Sequence, residues 1–271
     1  MNFFINMPAF IPDTRGNKLS AYEVRDAKNG NGQVLVVCCS DETAAQITAL
    51  GAGICTEAEL KDEAKKKWTH GYRFPGGVPA WFPDVLDLLS ESVTLIERPG
   101  INMGMSVDWY HQPDEEGNLV RTDMGRRIAF TKHAPYPNGS GSRQAWRELI
   151  EAMVEFINRH PIYATTNFVT SPPGHKADGK SFGEQLARAV ARAAGKTYIE
   201  MTAPGPRPEQ KEAEERELSG EFTLTETISE RIIIIDDVFH TGATLDAAMK
   251  AARRAGATEV ITLTAARALR K

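Results

Sequence analysis

The stretch RIIIIDDVFHTGATL, residues Arg231–Leu245, decides how the rest of the chain is read. Four consecutive isoleucines make a short, β-branched, doubly apolar run, the pattern of a strand buried on both faces of a parallel sheet. Two carboxylates, Asp236 and Asp237, follow at its C-terminal end, and then a short loop with Thr241, Gly242, Ala243 and Thr244. A helical pattern, LDAAMKAARRAG, begins at once and stops at Gly256. Backbone N–H groups of such a loop, together with a helix N-terminus, attract a phosphate. Carboxylates beside them accept hydrogen bonds from sugar hydroxyls. The plainer alternative is a strand-to-helix turn in which Thr241 or Thr244 merely caps the helix.

The segment IIIIDDVFHTGAT resembles the phosphoribosyl-pyrophosphate (PRPP) motif of type I phosphoribosyltransferases: a hydrophobic strand, two acids, a few variable residues, then Thr-Gly-x-Thr. The resemblance implies a doubly wound parallel α/β sheet of that kind, and the residues before it read as an additional N-terminal α/β segment. It implies that Asp236 and Asp237 face the ribose hydroxyls of PRPP and act as the catalytic pair. A carboxylate near the sugar favours the positive charge that develops there. The 5′-phosphate would lie against Val238, Phe239, His240, Thr241, Gly242, Ala243 and Thr244, with the two threonine hydroxyls as further donors. His240 reads equally as a phosphate donor and as a solvent-facing loop residue.

The bulk properties bound the alternatives. A chain of 271 residues with 41% hydrophobic and 25% charged residues is ordinary for a globular protein of one large domain or two small ones. The net charge of −4 gives no footprint for nucleic acid or for a membrane surface. No apolar run approaches the length of a membrane span, and the start of the chain lacks a basic region of the secretory type. Three cysteines, Cys38, Cys39 and Cys55, make no disulfide framework and no paired zinc motif. Cys38 and Cys39 end the apolar run VLVVCC and are expected to be buried thiols in a reduced, cytoplasmic setting.

The Pro, Asn, Gly and Ser residues of Pro135–Ser142 divide the chain into segments 1–140 and 141–271. In the second, apolar spacing predicts a helix over Ser142–His160 capped by Ser142, a strand at Asn167–Ser171 and a helix over Ser181–Gly195. A strand at Thr197–Met201, the isoleucine strand, its helix and a strand at Glu259–Thr264 complete the alternation. In the first, Val34–Ser40 and Ser92–Arg98 read as strands, ETAAQITALGAG and DVLDLLSES as helices. The run from Gly104 to Phe130 reads as a hairpin with a polar tip. This segment is a candidate hood over the acceptor or a docking unit for another protein.

Ligands of open parallel sheets bind beyond the C-terminal strand ends, which draws attention to a second loop, Ser171, Pro172, Pro173, Gly174, His175 and Lys176. Its place before the acid pair matches the family's pyrophosphate loop. Turns containing Pro and Gly expose N–H groups to an anion, and His175 and Lys176 add positive charge. A finer likeness, to the ComF-like branch, rests on Pro172 and His175, Phe182 and Gln185, Arg207 and Gln210, and Arg216 with Gly220 and Phe222. That branch's zinc-ribbon cysteines are missing here. The polar run Gly205–Gly220 reads as a mobile lid, with Lys211 and Arg216 in reach of pyrophosphate, or as a solvated charged helix.

The reaction implied is displacement of pyrophosphate from C1 of PRPP by a ring nitrogen of a small acceptor. Mg²⁺ would enter on the phosphates rather than on protein side chains. Trp109, Tyr110, Arg126, Arg127, Phe130 and Thr264–Arg267 are candidates for reading the acceptor. Homodimers are common in the family. Two other classes compete: a regulator that keeps the PRPP seat without transfer, and a partner-dependent effector.

Overall fold

The structure, a computed structural model, describes residues 16–28, 30–95, 101–133, 139–206 and 222–269. Lys211 and Arg216, and Arg207, Gln210 and Gly220 of the finer likeness, lie outside the described residues, as does the first half of the predicted divider, 135–138. The elements in chain order begin with β1 (Gly16–Asn17), β2 (Ala21–Asp26), β3 (Gln33–Cys38), α1 (Asp41–Leu50), β4 (Thr56–Glu57), α2 (Asp62–Lys65), β5 (His70–Phe74), α3 (Phe82–Glu91) and β6 (Val93–Leu95). Then come β7 (Met103–Trp109), β8 (His111–Pro113), β9 (Leu119–Arg121), α4 (Asp123–His133), α5 (Ser140–Arg159), α6 (Pro161–Ala164), β10 (Phe168–Thr170) and α7 (Phe182–Ala193). Last are β11 (Thr197–Tyr198), β12 (Met201–Thr202), β13 (Thr223–Leu224), β14 (Arg231–Phe239), α8 (Ala243–Arg254) and β15 (Glu259–Arg267).

The isoleucine run is the hub of a seven-stranded sheet ordered β1-β6-β7-β15-β14-β10-β11. Strands β7, β15, β14, β10 and β11 run parallel, and β6 and β1 add an antiparallel edge. Alternation along β14 explains why four apolar residues in a row are needed. Ile233 and Ile235 enter one core with Leu149 and Met153 of α5 and Leu186 and Val190 of α7. Ile232 and Ile234 enter the other with Leu245, Ala248 and Ala252 of α8. All four are fully buried, each contributing about 1.5–3 kcal/mol of burial. This is the doubly wound α/β arrangement expected, with a mixed rather than wholly parallel sheet.

The line at residue 140 does not divide the sheet. β1, β6 and β7 come from the first segment and bond to β15 of the second. The four-stranded antiparallel sheet β2-β3-β5-β4 is also continuous with the main core, since Leu35, Val37, Tyr72 and Phe74 share it with α3 and α5.

Several local expectations are corrected. The hairpin in the run from Gly104 to Phe130 has its polar tip as read, but it is confined to His111–Arg121. β7 ends at Trp109, β8 and β9 form a small ribbon, and α4 carries Arg126, Arg127 and Phe130. Met124 and Ile128, four residues apart, bury one face of that helix. α5 starts at Ser140 after Gly139, so Ser142 is a buried residue inside it and not its cap. The predicted strand 197–201 is split between β11 in the main sheet and β12 in a ribbon with β13. Cys38 and Cys39 are half-buried, and burial pushes the Cys39 thiol up to about 12. Among the described residues no helix is long and apolar enough to cross a membrane.

Candidate active site

Strand β14 does not stop where the isoleucines stop. It runs on to Phe239, so Asp236, Asp237, Val238 and Phe239 are strand residues rather than loop residues. Asp236 pairs with Thr264 and Val238 with Ala266 on β15. A strand fixes the carboxylates more firmly than a loop does. The backbone N–H of Asp237 donates to Asp236 Oδ1 at 2.9 Å, and that of Val238 donates to Asp237 Oδ1 at 2.8 Å.

The two acids have different neighbours. Asp236 lies against the first turn of α7: a Cβ on Gly183 would come within 2.8 Å of its Oδ1. Burial first, then the charge of Asp237, push Asp236 up to about 8, against the Asp237 N–H and the Lys132 charge, which favour its ionised form. Asp237, only 8% exposed, receives the ammonium of Lys132 on Oδ2 at 2.5 Å. Burial works against the charge of Lys132, but Asp237 and then Asp236 outweigh it and raise its proton affinity. Lys132 also sits 5.6 Å from the ring centroid of Phe182, which meets Trp146 edge-on at 5.4 Å.

Beyond the strand, His240 is exposed and Thr241 half-buried. Gly242 is the N-cap of α8 with φ of +84°, a left-handed conformation natural to glycine and costly for other residues. Neither threonine acts as the N-cap residue. Thr241 Oγ1 instead accepts weakly from Ala243 N–H at 3.4 Å. The first turn of α8, with Ala243 and Thr244, thus opens directly after the acid pair, and its partial positive charge favours an anion there.

The second predicted loop begins beside the pair, because β10 ends at Thr170 opposite Ile234. Its first half faces inward: Ser171, Pro172 and Pro173 are buried, and Ser171 Oγ lies 2.8 Å from the Tyr198 hydroxyl. Gly174 and His175 are half-buried and Lys176 is exposed. The Gly174 N–H donates to Glu184 Oε2 at 3.1 Å, so this donor is directed into the protein. Glu184, 2% exposed, also accepts from Ser181 N–H at 3.1 Å, while Ser181 Oγ accepts from Glu184 N–H. This capping box welds the start of α7 to the loop.

Of the acceptor candidates, Trp109 and Thr264 are buried, Tyr110 is half-buried and Phe130 is 51% exposed. Arg126 pairs with Asp123, and Arg127 with Glu148 at 3.2 Å. Arg267 is fully buried, its guanidinium 5.0 Å from the Phe239 ring. Sequence reasoning missed Lys132, Gly183 and Glu184. Ser181-x-x-Glu184 is a legible capping box, and Thr122 before Asp123 is a legible start for α4. The contact of Lys132 with Asp237 has no local signal, since 105 positions separate them.

Among solved structures, the chain resembles adenine phosphoribosyltransferase from Thermoanaerobacter pseudethanolicus at 16% identity over 48% of this chain and 83% of that one, with TM-score 0.35. For adenine phosphoribosyltransferase from Rhodothermus marinus the figures are 20%, 59%, 93% and 0.33. For orotate phosphoribosyltransferase from Aeropyrum pernix they are 13%, 58%, 72% and 0.33. No curated protein matches the chain in sequence. Residues 180–271, which hold α7, β14 with its acid pair, and α8, match the phosphoribosyl transferase domain family.

Proposed function

We propose that this protein transfers phosphoribose from PRPP to a ring nitrogen of a small, nucleobase-like acceptor and releases pyrophosphate. The observation that carries the reading is the continuity of β14, Asp236, Asp237, left-handed Gly242 and α8 within the segment that matches the family. Ribose hydroxyls would donate to the acid pair, and the 5′-phosphate would lie at Val238–Thr244 against the first turn of α8. The Gly174–Lys176 half of the second loop faces the pyrophosphate. A bond forms between the acceptor nitrogen and C1, and the C1–oxygen bond to pyrophosphate breaks with its electron pair. The nitrogen's proton passes to solvent. The chain need supply no covalent nucleophile, since positioning and charge carry the step.

Among the described residues no cluster of three or more His, Cys, Asp or Glu side chains is set for a metal ion. One oxygen of Asp237 is taken by Lys132. We read Mg²⁺ as carried by the diphosphate, where it would neutralise charge at the leaving group. Within the family we assign the domain to the ComF-like branch, on the motif Pro172, His175, Phe182 and Gln185. In its favour, Phe182 opens α7 next to the acid pair, and Gln185 Nε2 donates to the Lys180 carbonyl at 2.7 Å, tying that turn down. We further assign it to a reduced cytoplasmic compartment and a homodimer. The first segment serves as hood or protein-docking surface. Incubation with PRPP, Mg²⁺ and a panel of nucleobases tests the reading by pyrophosphate release. Release with at least one base is expected. PRPP binding with no release across the panel would turn the assignment to a regulator.

A further inference from the structure

Lys132 belongs to the half of the chain whose role the sequence leaves open, yet its ammonium ends in the site. The fold holds it there firmly. Thr122 Oγ1 donates to the Trp109 carbonyl at 2.5 Å and accepts from Gly125 N–H at 3.0 Å, fixing the start of α4 to the end of β7. Gly125 lies so close to Tyr110 that a Cβ there would meet its carbonyl oxygen at 2.1 Å. Met124 and Ile128 are buried, and Arg127 is paired with Glu148 of α5. Lys132 follows Ile128 by four positions on the same side of α4, where the helix meets solvent: its side chain is 39% exposed and its ammonium reaches back to Asp237.

Its contacts are chemically specific. An ammonium carries three donors, and one of them is on Asp237 Oδ2. The Phe182 ring is a further favourable neighbour for the charge. The charge of Asp237, held at the strand end beside a protonated Asp236, would repel a diphosphate in a partly buried site. A lysine on the acid pair removes part of that repulsion and can share itself between anions, because its stem is flexible and its charge compact.

We propose that Lys132 is an affinity-determining residue for the diphosphate of the activated sugar, handed into the site by the N-terminal half of the chain. It balances Asp237 and turns a donor to a phosphate oxygen when a ribose hydroxyl takes its place on that carboxylate. This rests on the reading of the acid pair as the PRPP seat, and the experiment separates the two.

Calorimetric titration of the full chain with Mg²⁺-PRPP, and separately with ribose 5-phosphate, is made on wild type, Lys132→Met and Lys132→Arg. The methionine variant keeps the stem and removes the charge. It is expected to lose roughly 10- to 100-fold in PRPP affinity, the scale of a hydrogen bond to a charged group. Affinity for ribose 5-phosphate, which has no diphosphate, should change less than about 3-fold. The arginine variant should retain PRPP affinity within about 10-fold. Equal losses for both sugars would make Lys132 merely a prop for Asp237 and overturn the proposal, as would unchanged PRPP affinity in Lys132→Met. Should that variant fail to fold, Lys132→Gln gives the same ratio of affinities. A wild-type protein that binds neither sugar overturns the seat itself, and this inference with it.

Discussion

Two turns leave the same edge of the sheet, one strand apart, and they are built in opposite ways. The turn after β14 is short, pivots on a left-handed glycine and opens into a long helix whose first turn points at whatever sits above the acid pair. The turn after β10 looks inward. Its serine and both prolines are buried, and its Gly174 N–H is spent on Glu184. The lesson is that a run of Pro and Gly does not by itself present donors to an anion. The first turn is the proposed seat, and the second is a braced wall of which only His175 and Lys176 turn toward solvent.

If that contrast is right, the largest effect belongs to the seat. Asp236→Asn combined with Asp237→Asn should weaken PRPP binding at least about 30-fold, since the charged acceptor Asp237 is lost at about 1.5–3 kcal/mol and the hydrogen bonding of the protonated Asp236 at about 0.5–1.5 kcal/mol. Circular dichroism should show the fold intact, because the acids lie at the strand end beyond the isoleucine core. Calorimetry with Mg²⁺-PRPP measures the loss.

Asp236 alone gives a pH test. Its folded pKa is raised to about 8 by burial and by Asp237, so the folded protein keeps a proton that the unfolded chain releases near pH 4. Stability therefore falls as pH rises from about 4 to about 8, by up to roughly 1 kcal/mol per pH unit. Asp236→Asn should flatten that slope: its Tm should match wild type near pH 4 and exceed it at pH 8. Thermal unfolding across that range checks the sign.

For the wall the expectation is structural. Glu184→Ala leaves the N–H groups of Gly174 and Ser181 without their carboxylate and should cost about 2–3 kcal/mol in denaturant unfolding. The smallest effect is Gly242→Ala, which forces an alanine to φ of +84°. It should cost about 1 kcal/mol in stability and loosen PRPP by roughly 10-fold. A Glu184→Ala protein as stable as wild type, or a Gly242→Ala protein with undiminished PRPP affinity, would erase the difference between the two turns.

How much of this was legible follows from how local each cause is. The β14–α8 unit is written in consecutive residues: a doubly buried strand needs an unbroken apolar run, and Ile232–Ile235 supplies it. Its end was placed at the acid pair because the apolar run stops there, while pairing with β15 carries the strand on to Phe239. α4 was hidden because Arg126 and Arg127 interrupt its apolar stripe, and the preceding residues really do form a ribbon. The inward turn of Ser171–Pro173 and the hold of Glu184 on Gly174 depend on packing against α7. The Lys132–Asp237 pair depends on the whole first segment joining the sheet through β7. Such contacts are settled by topology and leave no trace in residue spacing.

Hydrogen exchange of the wild-type protein, with and without saturating Mg²⁺-PRPP, tests the seat most directly. Amides across Val238–Leu245 should slow at least about 10-fold, more than any other segment of the sheet edge. Unchanged exchange there, with protection appearing elsewhere or nowhere, would contradict the placement of the phosphorylated pentose.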